Sequence, residues 1–206
     1  MNPIRILLAD DHVIVRMGLK SLLEDSPDMT VVGEAQNGIE AVAEALRLQP
    51  DVVIMDLMMP RKDGVAATAD LHKKLPSAKV VILTTYSTSD GISHAMDSGA
   101  SGALLKNTAN TELVPAIRAV MQGKTYLSRE VRRLFAEDPP AQTLTDRQRA
   151  ILESLVRGLS NDDIAKQFGI AEITVRNHLV TIFDKIGAGS RTEAVAITLR
   201  KQLLKL

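Results

Sequence analysis

Five short apolar runs, each followed by an amphipathic helical pattern, fill the first 125 positions of the chain. The runs are Ile4–Ala9, Val31–Ala35, Val52–Met55, Val80–Thr84 and Ala103–Leu105. The helical patterns are Val13–Leu23, Ile39–Leu48, Val65–Leu75, Ser89–Ser98 and Glu112–Met121. Strand and helix alternating at this spacing mark βαβ units, because parallel strands need a crossover long enough to hold a helix. The fold class read from this half is α/β, a doubly wound five-stranded parallel sheet of flavodoxin-like order 2-1-3-4-5. Pro115 falls inside the last pattern, where it removes a backbone donor and crowds the preceding turn. That helix either starts late or bends there.

The polar residues that end these runs carry the chemistry. Asp10-Asp11 follows the first run, and Asp56 follows the third, opening Asp56-Leu57-Met58-Met59-Pro60 ahead of Asp63-Gly64. Thr84 closes the fourth run and Lys106 follows the fifth. In a parallel sheet the carboxyl ends of the strands converge on one crevice. Three carboxylates there repel one another unless a divalent cation is bound, and hard oxygen ligands favour Mg²⁺. A carboxylate beside a metal, a lysine and a hydroxyl can accept a phosphoryl group as an aspartyl phosphate. Each residue alone also has a plainer reading: Asp10-Asp11 as a helix cap, Lys106 as a solvated strand end.

Taken together, these residues and the spacings from 56 to 84 and 84 to 106 resemble the receiver domain of two-component response regulators, over roughly residues 3–124. The resemblance implies that Asp56 takes phosphate from a sensor histidine kinase. It implies that Asp10 and Asp11, with Asp56 and the backbone carbonyl of Met58, hold Mg²⁺, while Thr84 and Lys106 bind the phosphoryl oxygens. Ala103 stands where that family carries its aromatic switch. Tyr86, the nearest aromatic, is the expected substitute as moving part, or else only packs beside the site.

The chain has 206 residues, enough for two domains, and no cysteine, which excludes disulfides, thiol catalysis and thiolate zinc sites. No apolar run approaches the ~18 residues that span a bilayer. The N-terminus enters Ile4–Ala9 directly, unlike a signal peptide, so a soluble, cytoplasmic protein without a membrane partner is expected. Zero net charge hides a division. Residues 1–125 hold 12 Lys+Arg against 15 Asp+Glu, and residues 126–206 hold 13 against 10. A mildly basic second half hints at nucleic acid.

That second half reads as helices only. Leu127, Val131 and Leu134 share one face of a short helix behind Ser128, and Ala136–Gln142, with Pro139-Pro140, reads as linker. The expected division is residues 1–125, a linker with a short helix over 126–142, and a helical domain over 143–206. Thr145-Asp146-Arg147-Gln148 fits a capping box, with its helix running to about Arg157 before Gly158. A helix from Ser160 to Phe168, Gly169, and a helix from about Glu172 to Ile186 make a helix-turn-helix, whose second member enters the DNA major groove. Val175, Leu179, Ile182 and Ile186 form its inner stripe. Arg176, Asn177, Val180 and Thr181 face outward, and Lys185, Ser190 and Arg191 are candidates for holding phosphates.

Leu144-Thr145, Gly158-Leu159-Ser160-Asn161, Thr174-Val175-Arg176-Asn177-His178 and Ser190-Arg191-Thr192-Glu193-Ala194 resemble the LuxR-type DNA-binding domain, over residues 143–200. Receiver plus this domain is similar to response regulators of the NarL/FixJ type. The resemblance implies base contacts from Arg176, Asn177 and Val180, a backbone contact from Lys185, and packing for His178. Two residues depart from the pattern. Ala171 replaces a serine cap, and Gln148 replaces a glutamate. The expected function is therefore a response regulator, not an enzyme, whose phosphorylated homodimer binds double-stranded DNA, with RNA polymerase as a further candidate partner. A phosphatase would need an acid two residues beyond its nucleophile, and position 58 is Met. A phosphorylation-independent regulator would not need the full acid set.

Overall fold

The computed structural model describes residues 2–85, 88–140, 144–201 and 203–204. They fall into two compact units, Met1–Asp138 and Pro139–Leu206.

The first unit holds β1 (Ile4–Ala9), α1 (Val13–Glu24), β2 (Met29–Ala35), α2 (Gly38–Leu48), β3 (Val52–Met55), α3 (Gly64–Lys74), β4 (Lys79–Thr84), α4 (Ser89–Asp97), β5 (Gly102–Leu105), a 3-10 turn at Lys106–Thr108, α5 (Ala109–Met121), β6 (Tyr126–Leu127) and α6 (Arg129–Glu137). All the strand pairs are parallel, in the order β2-β1-β3-β4-β5-β6. The sheet therefore has six strands, one more than expected. The added strand is two residues long, Gly102 and Ala103 facing Tyr126 and Leu127. Two residues are too few to show a period of two in the sequence.

Helices on both faces explain why the central strands are apolar throughout and not alternating. Every residue of β3 is buried. Because successive side chains point to opposite faces, neighbours in one strand serve different cores. Leu7, Ala9, Val53, Met55, Ile82 and Ala103 join the buried faces of α2, α3, α4 and α6. Ile6, Leu8, Val52, Ile54, Val81, Leu83 and Leu104 join those of α1 and α5. Asn37, Asp63 and Thr88 cap α2, α3 and α4 with side-chain oxygens. Pro115 lies inside α5, six residues past its first, so the helix does not start late. The short helix read behind Ser128 is present as α6: Ser128 caps it, and its Val131 is fully buried against the sheet.

The second unit holds α7 (Asp146–Val156), α8 (Asn161–Phe168), α9 (Glu172–Ile186) and α10 (Arg191–Arg200) around one core. Thr145 and Gln148 complete a capping box at α7, and Ser160 with Asp163 another at α8. Gly169 ends α8 with φ 63°, a left-handed conformation that favours glycine. Among the described residues, no helix is long and apolar enough to cross a membrane.

Candidate functional site

The sheet register gathers the acids. Ala9 pairs with Met55, so the next residues, Asp10 and Asp56, leave adjacent strands together. The Asp56 amide donates to the Ala9 carbonyl at 2.8 Å, and that of Asp10 to the Ala35 carbonyl at 3.1 Å. Thr84 pairs with Leu105, which places it beside Lys106. Asp10 and Asp56 are only 2% and 4% exposed, and Thr84 is buried too. Lys106 Nζ lies 2.5 Å from Asp10 Oδ2 and 2.7 Å from Asp56 Oδ2. The solvated-lysine reading is thereby set aside. So is the capping one, since the N-cap of α1 is His12, without a side-chain cap bond.

Ligand atoms of Asp10, Asp11, His12 and Asp56 lie within 4.8 Å of one another. Three carboxylates with one ammonium leave two negative charges, which matches a divalent cation, and the oxygen-rich set fits Mg²⁺. Receiver domains in general bind Mg²⁺ at such an acidic pocket. Burial raises the Asp56 pKa, and the hydrogen bond and charge of Lys106 offset only part of that. A bound cation acts in the opposite direction, favouring the carboxylate. For Lys106, burial alone would lower the pKa, yet the hydrogen bonds to Asp10 and Asp56 outweigh it and hold the amine charged.

The sequence assigned no role to three supporting residues. His12 Nδ1 lies 2.8 Å from Asp11 Oδ1. Arg16 is buried in α1, donating to the Asp10 carbonyl at 2.7 Å and to Glu34 at 2.8 Å. Gly64 packs on the Asp56 backbone so closely that a Cβ would lie 2.1 Å from the Asp56 carbonyl oxygen. Met58 donates its amide to Asp56 Oδ1 at 3.4 Å, with its side chain exposed. Ala103 is fully buried in β5, and Tyr86 lies outside the described residues.

In the second unit α9 buries Val175, Leu179, Ile182 and Ile186 and exposes Arg176, Asn177, Val180 and Thr181. Ala171 provides no side-chain cap, as its replacement of serine implies. His178 is half-buried. Arg176 pairs with Glu172 one turn earlier at 3.2 Å. Lys185 Nζ donates to Gln148 Oε1 at 3.0 Å. Ser190 caps α10, accepting from Glu193. Arg191 reaches back to the Leu159 carbonyl at 2.5 Å. Arg147 stacks over the Phe168 ring at 4.4 Å, joining the start of α7 to the end of α8. Of the three candidates for holding phosphates, each therefore also makes a bond inside its own domain.

Comparison with known proteins agrees with this arrangement. Residues 6–118 match the model of the response regulator receiver domain, and residues 142–198 that of bacterial regulatory proteins of the luxR family. The transcriptional regulatory protein LiaR of Bacillus subtilis (strain 168) is 36% identical, over 98% of this chain and 99% of its own. The response regulator protein VraR of Staphylococcus aureus (strain NCTC 8325 / PS 47) is 35% identical over the same shares. Among solved structures, the response regulator ChrA of a heme-sensing two-component system is 38% identical, with a TM-score of 0.58 over 99% of this chain and 100% of that one. The two-component response regulator RcsB in complex with DNA is 25% identical, with a TM-score of 0.73 over 96% and 98%. The chain belongs to the two-component response regulators, transcription regulators that join a receiver domain to a LuxR-type DNA-binding domain.

Proposed function

We propose that Asp56 is the phosphoacceptor of this regulator, and that its phosphorylation by a sensor histidine kinase controls dimerisation and sequence-specific DNA binding. The observation that carries the reading is Lys106 bridging buried Asp10 and Asp56 at the carboxyl ends of β1 and β3. An Asp56 carboxylate oxygen attacks phosphorus. The bond from phosphorus to the donor's imidazole nitrogen, or to the acyl oxygen of a small phosphodonor, breaks, and the leaving group keeps its electron pair. Asp10, Asp11, Asp56 and the Met58 carbonyl would hold Mg²⁺, which when bound supplies positive charge against the carboxylates and phosphoryl oxygens. Lys106 and Thr84 are the residues offered to the phosphoryl oxygens.

In the second unit, α9 supplies Arg176, Asn177, Val180 and Thr181 to base edges, as a recognition helix does. Lys185, Ser190 and Arg191 are the residues offered to phosphates. Arginine has five donors, so the bonds Arg191 makes to its own domain leave others for a ligand. The chain acts in the cytoplasm as a regulator, with double-stranded DNA as partner and RNA polymerase as a further candidate.

Labelling with radioactive acetyl phosphate tests the reading. Wild type should take up one acid-labile phosphate, and a chelator should abolish it. Asp56→Asn is nearly isosteric and should take up none while keeping the wild-type circular dichroism. One phosphate retained by Asp56→Asn would mean that the acceptor lies elsewhere.

A further inference from the structure

The exposed face of α9 is more apolar than a phosphate-seeking surface requires. Among the described residues, the exposed large apolar side chains of the second unit are Ile173 at 59%, Val180 at 57% and Leu199 at 54%. Two of these three lie on α9. A helix turns about 100° per residue, so Ile173 and Val180 fall within about 20° of one another on the helical wheel. Arg176 and Asn177 flank them at about 60° and 40°. The four side chains form one outward stripe, about 140° around the helix from the buried Val175, Leu179, Ile182 and Ile186. Ile173 is the second residue of α9, and the N-terminal residues of a recognition helix are the ones that reach base edges.

We infer that Ile173 reads a thymine, by packing against its C5-methyl group in the major groove. The inference rests on the DNA-reading role of α9 given above and adds a residue to it. An isoleucine offers no hydrogen bond to a base edge. The feature of the major groove that rewards an apolar side chain is the thymine methyl, absent from the other three bases. Ile173 and Val180 stand about 10 Å apart along the helix axis, at 1.5 Å per residue. Base pairs rise by about 3.4 Å, so the two side chains address different base pairs. Arg176 and Asn177 lie between them and suit guanine and adenine. The chain therefore reads with two polar and two apolar contacts per helix.

The test uses the phosphorylated full-length chain and a duplex obtained by selection with the wild-type protein. Each thymine of that duplex is replaced in turn by deoxyuridine, which lacks only the methyl group. Wild type should lose about fourfold in affinity at one particular thymine, the loss expected when one methyl contact is removed. Ile173→Ala should bind the thymine duplex about fourfold more weakly and show no further loss with uracil at that position. Ile173→Val keeps branched methyl groups and should retain most of the sensitivity. Because Ile173 is exposed, both variants should melt as wild type does. If the uracil profile of Ile173→Ala matches that of wild type at every thymine, the inference fails while sequence-specific binding stands. If Ile173→Ala weakens specific and random duplexes equally, it fails as well. A wild-type chain that selects no sequence at all overturns the DNA-reading role, and this inference with it.

Discussion

A methyl group on Gly64 would meet the Asp56 carbonyl oxygen at 2.1 Å and Leu57 Cα at 2.9 Å. Both are backbone atoms, which cannot swing aside as a flexible side chain can. Gly64 also donates its amide to the Leu57 carbonyl at 2.9 Å, closing the loop that leaves Asp56. Gly64→Ala should push that loop outward at a cost of about 1–3 kcal/mol, the usual range for overpacking. The same movement shifts Asp56, so labelling by acetyl phosphate should drop along with the urea midpoint. Unchanged values of both would show that the loop yields freely. Gln148 makes a second case. Its Oε1 accepts from the Thr145 amide and from Lys185 Nζ, both at 3.0 Å. Gln148→Glu puts a negative charge on that acceptor, which makes the Thr145 amide bond charge-assisted and turns the Lys185 bond into an ion pair. Burying the carboxylate costs something, but its partner Lys185 is in place. The net gain should be about 1 kcal/mol, a rise of roughly 4–8 °C in the melting temperature of a domain this size. A tighter hold on Lys185 should also lower the salt slope of DNA binding by about one unit. A gain in stability with the slope unchanged would remove Lys185 from the phosphate contacts.

At the scale of elements, β6 and α6 change how β5 is used. The Ser128 amide donates to the Ala103 carbonyl at 3.0 Å, and Ala103 and Val131 are fully buried in one cluster, with Leu127, Leu134 and Phe135 packed against it. Ser89 at the start of α4 donates to Asp138 just past α6 at 3.2 Å. The small side chain at position 103 thus lies under a helix, where an aromatic ring would collide with well-packed neighbours. Ala103→Phe should destabilise the receiver by about 1–3 kcal/mol. Adding Val131→Ala should recover part of that loss, a non-additivity that urea unfolding of the two single variants and the double variant would measure. Strict additivity would show that the two sites do not share their space. The sequence displays the five longer strands because burial on both faces leaves continuous apolar runs, and the acids are visible because they end those runs. The strand β6 escapes it through sheer shortness. The first turn of α5 escapes because Ala109-Asn110-Thr111 shows no apolar period. Arg16 and His12 escape for another reason: Arg16 meets Glu34 only because β2 pairs beside β1, and the bond between neighbouring His12 and Asp11 depends on a side-chain orientation that no local pattern encodes. The outward face of α9 is visible through its period, whereas the bonds Arg191 and Lys185 make within their own domain are not.

For the whole molecule, the charge balance sets how DNA must be held. Residues 126–206 carry only three more Lys+Arg than Asp+Glu, too small an excess for one copy to grip phosphates strongly at physiological salt. Phosphorylation at Asp56 replaces one carboxylate charge with a phosphoryl group of about two, a net gain of about one negative charge on the receiver, and the proposed consequence is a dimer that presents two copies of α9. Two recognition helices related by a twofold axis engage half-sites about one helical turn, roughly 34 Å, apart. Each copy contributes its own phosphate contacts, so the slope of log K against log[salt] should be about twice as steep for the full site as for a half-site. Inserting about five base pairs between the half-sites turns one of them to the opposite face of the duplex. With phosphorylated protein this insertion should remove the advantage of the second half-site, leaving affinity near that of a half-site alone. Asp56→Asn should show the lower affinity on every spacing, with or without phosphodonor. Sedimentation of the same samples links the two readouts, since the dimer fraction should rise with phosphate incorporation in wild type only. Full-site affinity that ignores the insertion would mean that single copies bind independently, and phosphorylation would then have to act on DNA binding by a route other than dimerisation.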